Sequence, residues 1–293
     1  MVAVVLTYGR PAGAIACVRS LLLSTHAPFE IVVVDNGSRP AAVAELEEEL
    51  RSLAGVELVR VSPNRGYTGG VNAAFAHALG TRAEYVWLLA DDVRVDTLAM
   101  AALVAALRAE ARAGVAAALT MLASDPTRIW FAGGLVARDL LGRARHRGQG
   151  EIDTARWAPG PVDFANGSSL FARREVIERV GGMDDDYFTY WEDADWCARA
   201  AEAGWRTWFV PGARVWHDVT PDSGDRLDRA RIYDARNRML WLKRHRAHAL
   251  VPALLATLAA LPWWTLTGRG HEAMLQWRGV LAFLRGRRGR MDG

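Results

Sequence analysis

Short apolar runs alternate, along the first third of the chain, with longer segments in which apolar residues recur every three or four positions. The runs are rich in valine and leucine, as expected of strands buried on both faces of a parallel sheet. The segments between them have the periodicity of amphipathic helices. Strands are predicted over Val2–Thr7, Glu30–Asp35, Val56–Val61 and Glu84–Leu89, and helices over Pro11–Ser24, Ala41–Ala54 and Thr68–Leu79.

This alternation predicts an α/β fold with a mostly parallel, Rossmann-like central sheet flanked by helices. Right-handed crossovers gather the carboxyl ends of the strands along one edge, where open α/β sheets bind ligands. Asp35 and Asp92 follow predicted strands and therefore fall on that edge. Gly55 and Gly80 stand where a glycine commonly ends a helix.

The alternation weakens after Gly114, and the Gly- and Arg-rich stretch 133–150 resembles a long loop or a hairpin. From Val162 onward the order strand, turn, strand and helix is predicted, with the helix starting at Arg174 and ending at Gly181. Another helix is predicted over residues 192–203.

An uncharged segment of 20 residues, 249–268, lies near the C-terminus. It barely reaches the length that spans a bilayer, and basic residues flank it on both sides rather than on one. We therefore expect a helical hairpin that lies on a membrane surface with its tryptophans at headgroup depth. Packing of these helices against the rest of the protein as ordinary core helices is the alternative.

Positive charge is concentrated in the tail. The formal charge of the chain is +3, yet residues 243–293 hold nine Lys or Arg and two Asp or Glu. Basic residues beside an apolar run indicate an anionic membrane surface, and no nucleic-acid-binding module is recognisable. Cys17 and Cys197 form no ligand pair, which suits a reducing compartment. No secretory signal is recognised, so a cytoplasmic location is expected.

Two polar motifs follow predicted strands. Asp35 opens the turn DNGS, where its carboxylate could accept hydrogen bonds from a nucleotide base or ribose, or could cap a turn. The motif NRGYTGGVN, 64–72, opens a helix whose glycines and N-terminus would suit a phosphate, or would simply form a tight turn. Neither motif has the spacing GxGxxG, which disfavours a nicotinamide-dependent oxidoreductase.

Asp91 and Asp92 are paired at the end of a strand. Adjacent carboxylates repel each other unless a cation or hydrogen-bond donors compensate, so a hard divalent ion is a natural partner. Such an ion on a diphosphate would stabilise charge on a leaving group. Solvated acids in a turn are the alternative interpretation.

The ordered set of motifs resembles glycosyltransferase family 2 over about residues 1–245, in particular the bacterial branch that includes rhamnosyltransferases and, more distantly, galactofuranosyltransferases. The motifs are VVLTYGR, VVDNGS, NRGYTGGVN, LLADD, the block NGSSLFARREVIERVGGMDDDYFTYWEDADWCARAAEAGW, VPGARVWHD and YDARNRMLWL. The resemblance implies a GT-A fold, a nucleotide-activated sugar, a divalent metal and transfer with inversion.

The resemblance also implies roles for individual residues. Asp92 matches the last acid of the family's DxD metal motif, but Ala90 replaces the first, so Mn²⁺ or Mg²⁺ is expected on Asp92 and His217 alone. Asp193 matches the catalytic base, while Asp195 is expected to pair with Arg199.

Contacts with substrates are expected from a wider set of residues. Those for the nucleotide and donor are Thr7, Tyr8, Arg10, Asp35, Gly37, Asn64, Arg65, Gly66, Gly70, Asn72, Asp91, Arg236 and Arg238. Those for the sugars or the acceptor are Trp191, Glu192, Gly167 and Ser168.

The sequence thus predicts an inverting transferase that moves a sugar, L-rhamnose from dTDP-rhamnose, to a hydroxyl of a lipid-linked or cell-envelope glycan. A galactofuranosyltransferase with a UDP donor and a non-catalytic nucleotide-sugar-binding protein are the alternatives. Catalytic residues are expected within 1–230, with a donor half over about 1–114 and an acceptor half over about 115–230. Residues 231–293 are expected to form the tail, peripheral on the inner face of the cell membrane.

Overall fold

The computed structural model describes residues 1–139, 141–219 and 224–291. The helices are α1 Pro11–Leu22, α2 Pro40–Arg51, α3 Gly66–Gly80, α4 Ala99–Ala109, α5 Arg174–Val180, α6 Glu192–Glu202, α7 Asp225–His245, α8 Ala247–Leu266 and α9 Gly270–Leu284. The strands are β1 Val2–Thr7, β2 Glu30–Asn36, β3 Val56–Val61, β4 Tyr85–Ala90, β5 Val93–Val95, β6 Ala113–Leu122, β7 Ile129–Phe131, β8 Gly134–Val136, β9 Ala144–His146, β10 Gly160–Val162, β11 Ser169–Arg173 and β12 Arg206–His217.

The first half of the chain forms the parallel part of the sheet, in the order β4, β1, β2, β3. Every residue of β1 is buried, because helices cover both faces of the sheet. In register, Thr7 lies beside Asp35 and Leu6 lies beside Ala90. The predicted strands and helices of this half are confirmed within three residues at each boundary, and the strand ends meet at one edge as expected.

The predictions for Gly55 and Gly80 are wrong. Gly55 has a left-handed backbone (φ +77°), but α2 already ends at Arg51, so this glycine belongs to the turn that leads into β3 rather than to the helix end. Gly80 instead is the last residue of α3, and the next residue, Thr81, donates its hydroxyl to the carbonyl of Ala78 at 2.8 Å. A side-chain hydrogen bond therefore ends this helix, and no left-handed glycine is needed.

The second half adds a mixed part of the sheet, in the order β11, β6, β12, β10. Strand β11 is antiparallel both to β4 and to β6, whereas β12 is parallel to β6. The strand β6 was not predicted, because its run of alanines and one glycine has no period-two pattern even though nine of its ten residues are buried. The Gly- and Arg-rich stretch contains the hairpin β8–β9, as one alternative expected; Leu140 of that stretch lies outside the described residues.

The C-terminal helices pack side by side. Helix α8 touches the protein through a narrow stripe spaced every four residues, Ala249, Ala253 and Thr257. It is long and apolar enough to cross a membrane by length and composition, and only 17 % of its apolar window is buried. Most of its apolar surface is consequently available to another partner.

Helices α7 and α9 approach each other closely at Gly279. A Cβ atom placed there would lie 2.6 Å from the Ala235 methyl group and 2.6 Å from the Ile232 carbonyl oxygen. No side chain fits in that space, so this glycine sets the distance between the two helices.

We predict that Gly279→Val lowers the free energy of unfolding by about 1–3 kcal/mol, the usual cost of overpacking, because the helices must separate. Thermal unfolding measures the effect as a fall in Tm. Gly270→Ala is the matched control, since a Cβ atom there meets only the Thr265 methyl group at 3.8 Å. An unchanged or higher Tm for Gly279→Val would contradict the packing described.

Candidate functional site

Acidic residues at the end of β4 form the centre of the site. Asp91 accepts the hydroxyl of Thr7 at 2.7 Å and is nearly fully buried. Arg10 places its guanidinium 2.7 Å from Asp92 Oδ2 and 3.6 Å from Asp91 Oδ1. On the other side, His217 Nε2 at the end of β12 lies 3.0 Å from Asp92 Oδ1. The structure therefore brings together Thr7, Arg10, both aspartates and His217, although 210 positions separate Thr7 at the end of β1 from the histidine.

The two aspartates are electrostatically different. Burial raises the pKa of Asp91 to about 6, and the neighbouring Asp92 adds to the shift, while Thr7 opposes it. Burial also disfavours the charged form of Asp92, but the His217 imidazole and the Arg10 guanidinium outweigh burial and lower its pKa. Asp92 is thus the more acidic of the two carboxylates and keeps its charge to lower pH than Asp91 does.

Asp92 Oδ1 is buried, and its contact is the His217 Nε2 atom at 3.0 Å, without the geometry of a regular hydrogen bond. Carboxylate oxygen and imidazole nitrogen suit Mn²⁺, so two such atoms facing each other in a buried position fit a shared cation. Over the described parts of the chain, no group of three or more His, Cys, Asp or Glu is placed to hold a metal ion. The protein can therefore supply two ligands, and the remaining ones must come from substrate or water.

The proposed base, Asp193, lies in the first turn of α6 and faces the end of β4. Its Oδ2 accepts the Gly167 amide at 3.0 Å, and its Oδ1 accepts the Ala194 amide at 2.7 Å. The residue after Gly167 is tied to β4, since the Ser168 carbonyl accepts the Ala90 amide at 3.0 Å. One short turn therefore joins Asp193 to the strand that carries Asp91 and Asp92.

Asp193 and Glu192 form a coupled pair of carboxyl groups. Burial raises the pKa of Asp193, and the amides of Gly167 and Ala194 oppose that shift. Glu192 is only 6 % exposed, so burial and then the charge of Asp193 raise its pKa well above the ordinary value. Because the two amides favour the charged form of Asp193, we expect it to ionise before Glu192, whose Oε2 has no hydrogen-bond partner among the described residues.

The Asp195–Arg199 pair is present, with Arg199 Nε 2.8 Å from Asp195 Oδ2. Asp195 also accepts the Tyr187 hydroxyl at 3.0 Å and lies 2.8 Å from His245 Nε2. These partners commit Asp195 to holding α6 in place, so it does not compete with Asp193 as a base.

The segment before α6 has an unusual backbone. Phe188, Tyr190 and Trp191 all have positive φ, between 64° and 72°. Such a conformation costs about 1 kcal/mol or more for each non-glycine residue, so contacts elsewhere must stabilise it. Strained backbone of this kind is common next to functional groups.

Trp191 does not form an open sugar platform, contrary to the expectation. It is only 7 % exposed, its ring lies 5.7 Å from that of Trp241, and its indole N–H donates to Asp234 at 2.8 Å. Its ring packs against α7 through Trp241 and Asp234. Only its edge is left to contact a substrate.

The glycine motif 64–72 serves mainly to pack the turn, as the alternative interpretation expected. A Cβ at Gly66 would lie 2.4 Å from the Phe188 ring, and one at Gly70 would lie 2.6 Å from Leu6. The Asn64 side chain accepts the Gly66 amide at 2.7 Å, and the Phe188 carbonyl accepts the Thr68 amide at 3.3 Å. The Gly66 and Thr68 amides at the start of α3 therefore already donate hydrogen bonds within the protein.

Asn72 is occupied elsewhere. Its amide group exchanges hydrogen bonds with the main chain of Met183, at 2.7 and 2.9 Å, and donates to Asp185 at 3.1 Å. These contacts anchor the loop before the strained segment. Arg65 is the residue of this motif whose exposed side chain is placed to reach a substrate.

Asp35 lies on the edge of the sheet and is 2 % exposed. It accepts only a long hydrogen bond, 3.3 Å, from the Ser38 amide, so it caps the turn and keeps acceptor capacity. Ser38 in turn accepts the Gly9 amide at 2.7 Å.

Gly37 has φ +83°, and a Cβ there would lie 2.4 Å from the Asn64 amide nitrogen. Tyr8 is 57 % exposed beside this turn, where its ring is free to stack.

Arg236 and Arg238 are not placed at the nucleotide edge, contrary to the expectation. The Arg236 guanidinium is 1 % exposed and donates to the carbonyls of Asp186, Tyr187 and Gly289. Arg238 donates to the Thr257 hydroxyl at 2.8 Å, between α7 and α8. Both arginines therefore act within the protein, which sequence spacing alone could not reveal.

Other residues at the site were missed. Tyr67 donates its hydroxyl to the carbonyl of Gly167, which places its ring against the turn that holds Asp193. Trp130 and His146 stack edge to face, 5.4 Å apart, and the Trp130 ring lies 5.9 Å from His217. Trp130 Nε1 and His146 Nδ1 are buried without partners. Tyr67 lies inside a recognised motif, whereas nothing in the sequence marked the other two.

Solved structures with the same architecture are nucleotide-sugar enzymes. The mannosyltransferase PcManGT from Pyrobaculum calidifontis, in complex with GDP-Man and Mn²⁺, superimposes with a TM-score of 0.64 over 98 % of this chain and 87 % of its own, at 16 % identity. GalNAc-T7 with UDP, GalNAc and Mn²⁺ superimposes with a TM-score of 0.65 over 83 % of this chain and 47 % of its own, also at 16 % identity. The fold is therefore GT-A, as predicted.

Sequence comparison then gives the family. The model of Glycosyl transferase family 2 matches residues 2–181. The chain belongs to glycosyltransferase family 2 and is a glycosyltransferase that uses a nucleotide-sugar donor.

Curated relatives fall in two groups. The N-acetylglucosaminyl-diphospho-decaprenol L-rhamnosyltransferase of Mycobacterium tuberculosis is 30 % identical over 70 % of this chain and 71 % of its own length. The galactofuranosyltransferase GlfT2 of the same species is 25 % identical over 82 % of this chain, which spans only 40 % of that relative. Both groups agree with the predicted branch of the family.

The coupled carboxyl pair generates a prediction about pH. Because burial raises the pKa of Asp193, kcat should fall with acidification at a pH above the ordinary Asp value of about 3.9. Glu192→Gln replaces a neutral carboxyl by an amide of the same shape, so that acidic limb should stay in place. The loss of kcat should be far smaller than the roughly 10²–10⁴-fold expected for loss of a general base.

A pH–rate profile of both proteins at saturating donor measures this. A profile of Glu192→Gln in which the acidic limb disappears would contradict the order of ionisation given above, because it would make Glu192 the group whose charge matters.

Proposed function

We propose that the protein transfers L-rhamnose from dTDP-rhamnose, with inversion, to a hydroxyl of a lipid-linked or cell-envelope glycan. The relative with 30 % identity acts as an L-rhamnosyltransferase on a diphospho-decaprenol acceptor, which supports this choice of sugar and acceptor. The observation that carries the proposal is the turn 166–168, which joins the carboxylate of Asp193 to the strand ending in Asp91 and Asp92.

In the proposed reaction, Asp193 accepts the proton of the acceptor hydroxyl as the hydroxyl oxygen bonds to the anomeric carbon. The bond between that carbon and the nucleoside diphosphate breaks in the same step, and its electron pair leaves with the diphosphate. A single base suffices because attack and departure occur on opposite faces of the sugar. The grouping of Asp92, His217 and Arg10 at the end of β4 supports a leaving group bound at that edge.

Asp92 and His217 are the residues that would hold Mn²⁺ or Mg²⁺. When bound, the ion would neutralise charge that develops on the diphosphate. Arg10 pairs with Asp92 and adds a positive charge beside it. Asp91 accepts the Thr7 hydroxyl and so holds the end of β1 in place. Tyr8, Asp35 and Arg65 are proposed to contact the nucleotide. Trp130 and His146 are proposed to contact a sugar, because aromatic rings with nitrogen atoms that lack hydrogen-bond partners suit a sugar ring.

Transfer of galactofuranose from a UDP donor is the second candidate. It is favoured by the match to GlfT2 over 82 % of this chain. Binding of a nucleotide sugar without transfer is a third, because Ala90 removes one acidic position and leaves two protein ligands. The partly buried Asp193 with a raised pKa argues against it, since mere binding needs no base.

We predict that Asp193→Asn reduces transfer by about 10²–10⁴-fold, the contribution of a general base, while nucleotide binding survives. Transfer is measured as release of free nucleoside diphosphate with a prenyl-diphosphate glycan acceptor. Binding is measured by thermal shift with dTDP, UDP and GDP, each with and without Mn²⁺, since a ligand of the native state raises Tm.

Asp185→Asn is the matched control, because its amide oxygen can still accept the Asn72 side chain. Retained turnover in Asp193→Asn would remove Asp193 from its role. The largest shift with UDP instead of dTDP would favour galactofuranose, and binding without nucleotide release in the wild type would favour the non-catalytic alternative.

We further propose that the enzyme is cytoplasmic and lies on the inner face of the cell membrane through α8 and α9. Trp263 is 67 % exposed and Leu266 is 83 % exposed, at the end of an apolar helix in a basic tail. The proposed tail comprises residues 231–293. Its first helix, α7, begins before residue 231 and also contacts Trp191 through Asp234.

The double variant Trp263→Ser/Leu266→Ser should bind vesicles at least about tenfold more weakly, because burial of each large apolar side chain contributes about 1.5 kcal/mol or more. Sedimentation with phosphatidylglycerol–phosphatidylcholine vesicles measures this. Leu98→Ser, an exposed apolar residue outside the tail, is the control and should bind as the wild type does. Equal binding of the double variant would exclude α8 as the contact.

A further inference from the structure

The chain closes over the loop before the catalytic helix through residues 286–291, which we name the C-terminal strap. The Arg288 guanidinium pairs with the Asp186 carboxylate. The Gly289 amide donates to the Asp186 carbonyl at 2.7 Å, and the Met291 amide donates to the Tyr233 hydroxyl at 2.7 Å. The strap is thus bound both to the loop and to α7.

Beneath the strap, Arg236 connects it to the same loop. Its Nη1 donates to the Gly289 carbonyl at 2.8 Å, and its Nη2 donates to the carbonyls of Asp186 and Tyr187 at 3.0 and 2.8 Å. Its Nε donates to Asn237 Oδ1 at 2.7 Å. Arg236 therefore fixes the orientation of the neighbouring amide.

Asn237 is fully buried and holds the strained segment directly. Its Nδ2 lies within 2.7–3.0 Å of the carbonyls of Tyr187, Thr189 and Tyr190. Those carbonyls belong to the backbone that includes the positive φ angles and leads without a break into Glu192 and Asp193. The Asn237 side chain thus contacts three carbonyls that would point in different directions in an ordinary extended loop.

From these contacts we propose that Arg236, Asn237 and the C-terminal strap are positioning elements for Asp193. They act by holding segment 186–191 in the one conformation that directs the start of α6 toward the Gly167 turn. The inference rests on the proposed role of Asp193 and adds to it a dependence of the reaction on the end of the chain. Loss of position alone lowers catalysis, because a shift of about 1 Å can cost about 10²-fold in rate.

A purely stabilising role makes a different prediction. Arg288 is a half-exposed side chain, and Asp186 retains Arg244 as a second partner at 2.7 Å when Arg288 is removed. Loss of such a surface pair affects stability little. A change in kcat without a matching change in Tm or in donor binding therefore reports positioning.

The test compares Arg288→Ala, Arg288→Lys and Asn237→Ala in the full chain, with Arg287→Ala as the matched control from the exposed part of the strap. We expect kcat to fall about tenfold in Arg288→Ala and about 10²-fold in Asn237→Ala. The donor KM and the Tm shift produced by the nucleoside diphosphate should stay within about twofold of wild type in both. Arg288→Lys should recover most of kcat, and Arg287→Ala should match the wild type.

Unchanged kcat in Arg288→Ala and in a folded Asn237→Ala would overturn the inference while leaving the transferase function intact. A parallel loss of nucleotide binding and kcat would also overturn it, since that reports general damage. If Asn237→Ala does not fold, the Arg288 pair of variants decides the outcome. A wild type that binds nucleotide but transfers no sugar would refute the proposed function itself, and the positioning role with it.

Discussion

The reversed strand β11 is the constraint on which the site depends. It lies between β4 and β6 and is antiparallel to both, so the turn that precedes it stands at the carboxyl end of β4. A parallel strand in that position would have placed the same turn at the opposite edge. Because the Ser168 carbonyl accepts the Ala90 amide and the Gly167 amide donates to Asp193, the direction of one strand brings the proposed base to the end of β4, where the proposed metal ligand Asp92 follows.

Burial then makes the acidic residues of this site differ in how readily they ionise. Asp92 keeps its charge because Arg10 and His217 compensate for burial, whereas Glu192 has no cationic partner within the described residues and is favoured neutral. Asp193 lies between these cases. Burial raises its pKa, and the hydrogen bonds from two amides oppose that rise. A base must lose its proton before it can accept another, so the carboxyl group with two amide donors, rather than its buried neighbour, is suited to that task.

Sequence reasoning predicted the parallel half of the fold because its strands are uniformly apolar and its helices are periodic. It missed β6, whose small residues give no periodic signal, and therefore could not foresee the mixed order of the sheet. At the site, Asp92, Asp193 and His217 were predicted from strand ends and motif order, and the structure places His217 beside Asp92 and joins Asp193 to β4 through the Gly167 turn. Arg236 and Trp191 were misassigned because a motif shows that a residue is needed without showing which atoms it contacts.

Those two misassigned residues share a physical explanation. The segment 187–191 carries three strained residues, and strain persists only where surrounding contacts over-determine the backbone. Arg236 and Asn237 supply such contacts from α7, and Trp191 supplies another through Asp234 on the same helix. Since α9 packs on α7 at Gly279 beside Arg236, the helices that expose apolar surface also support the backbone of the catalytic segment. Helix α7 is therefore the element that links the C-terminal helices to the segment leading into Asp193.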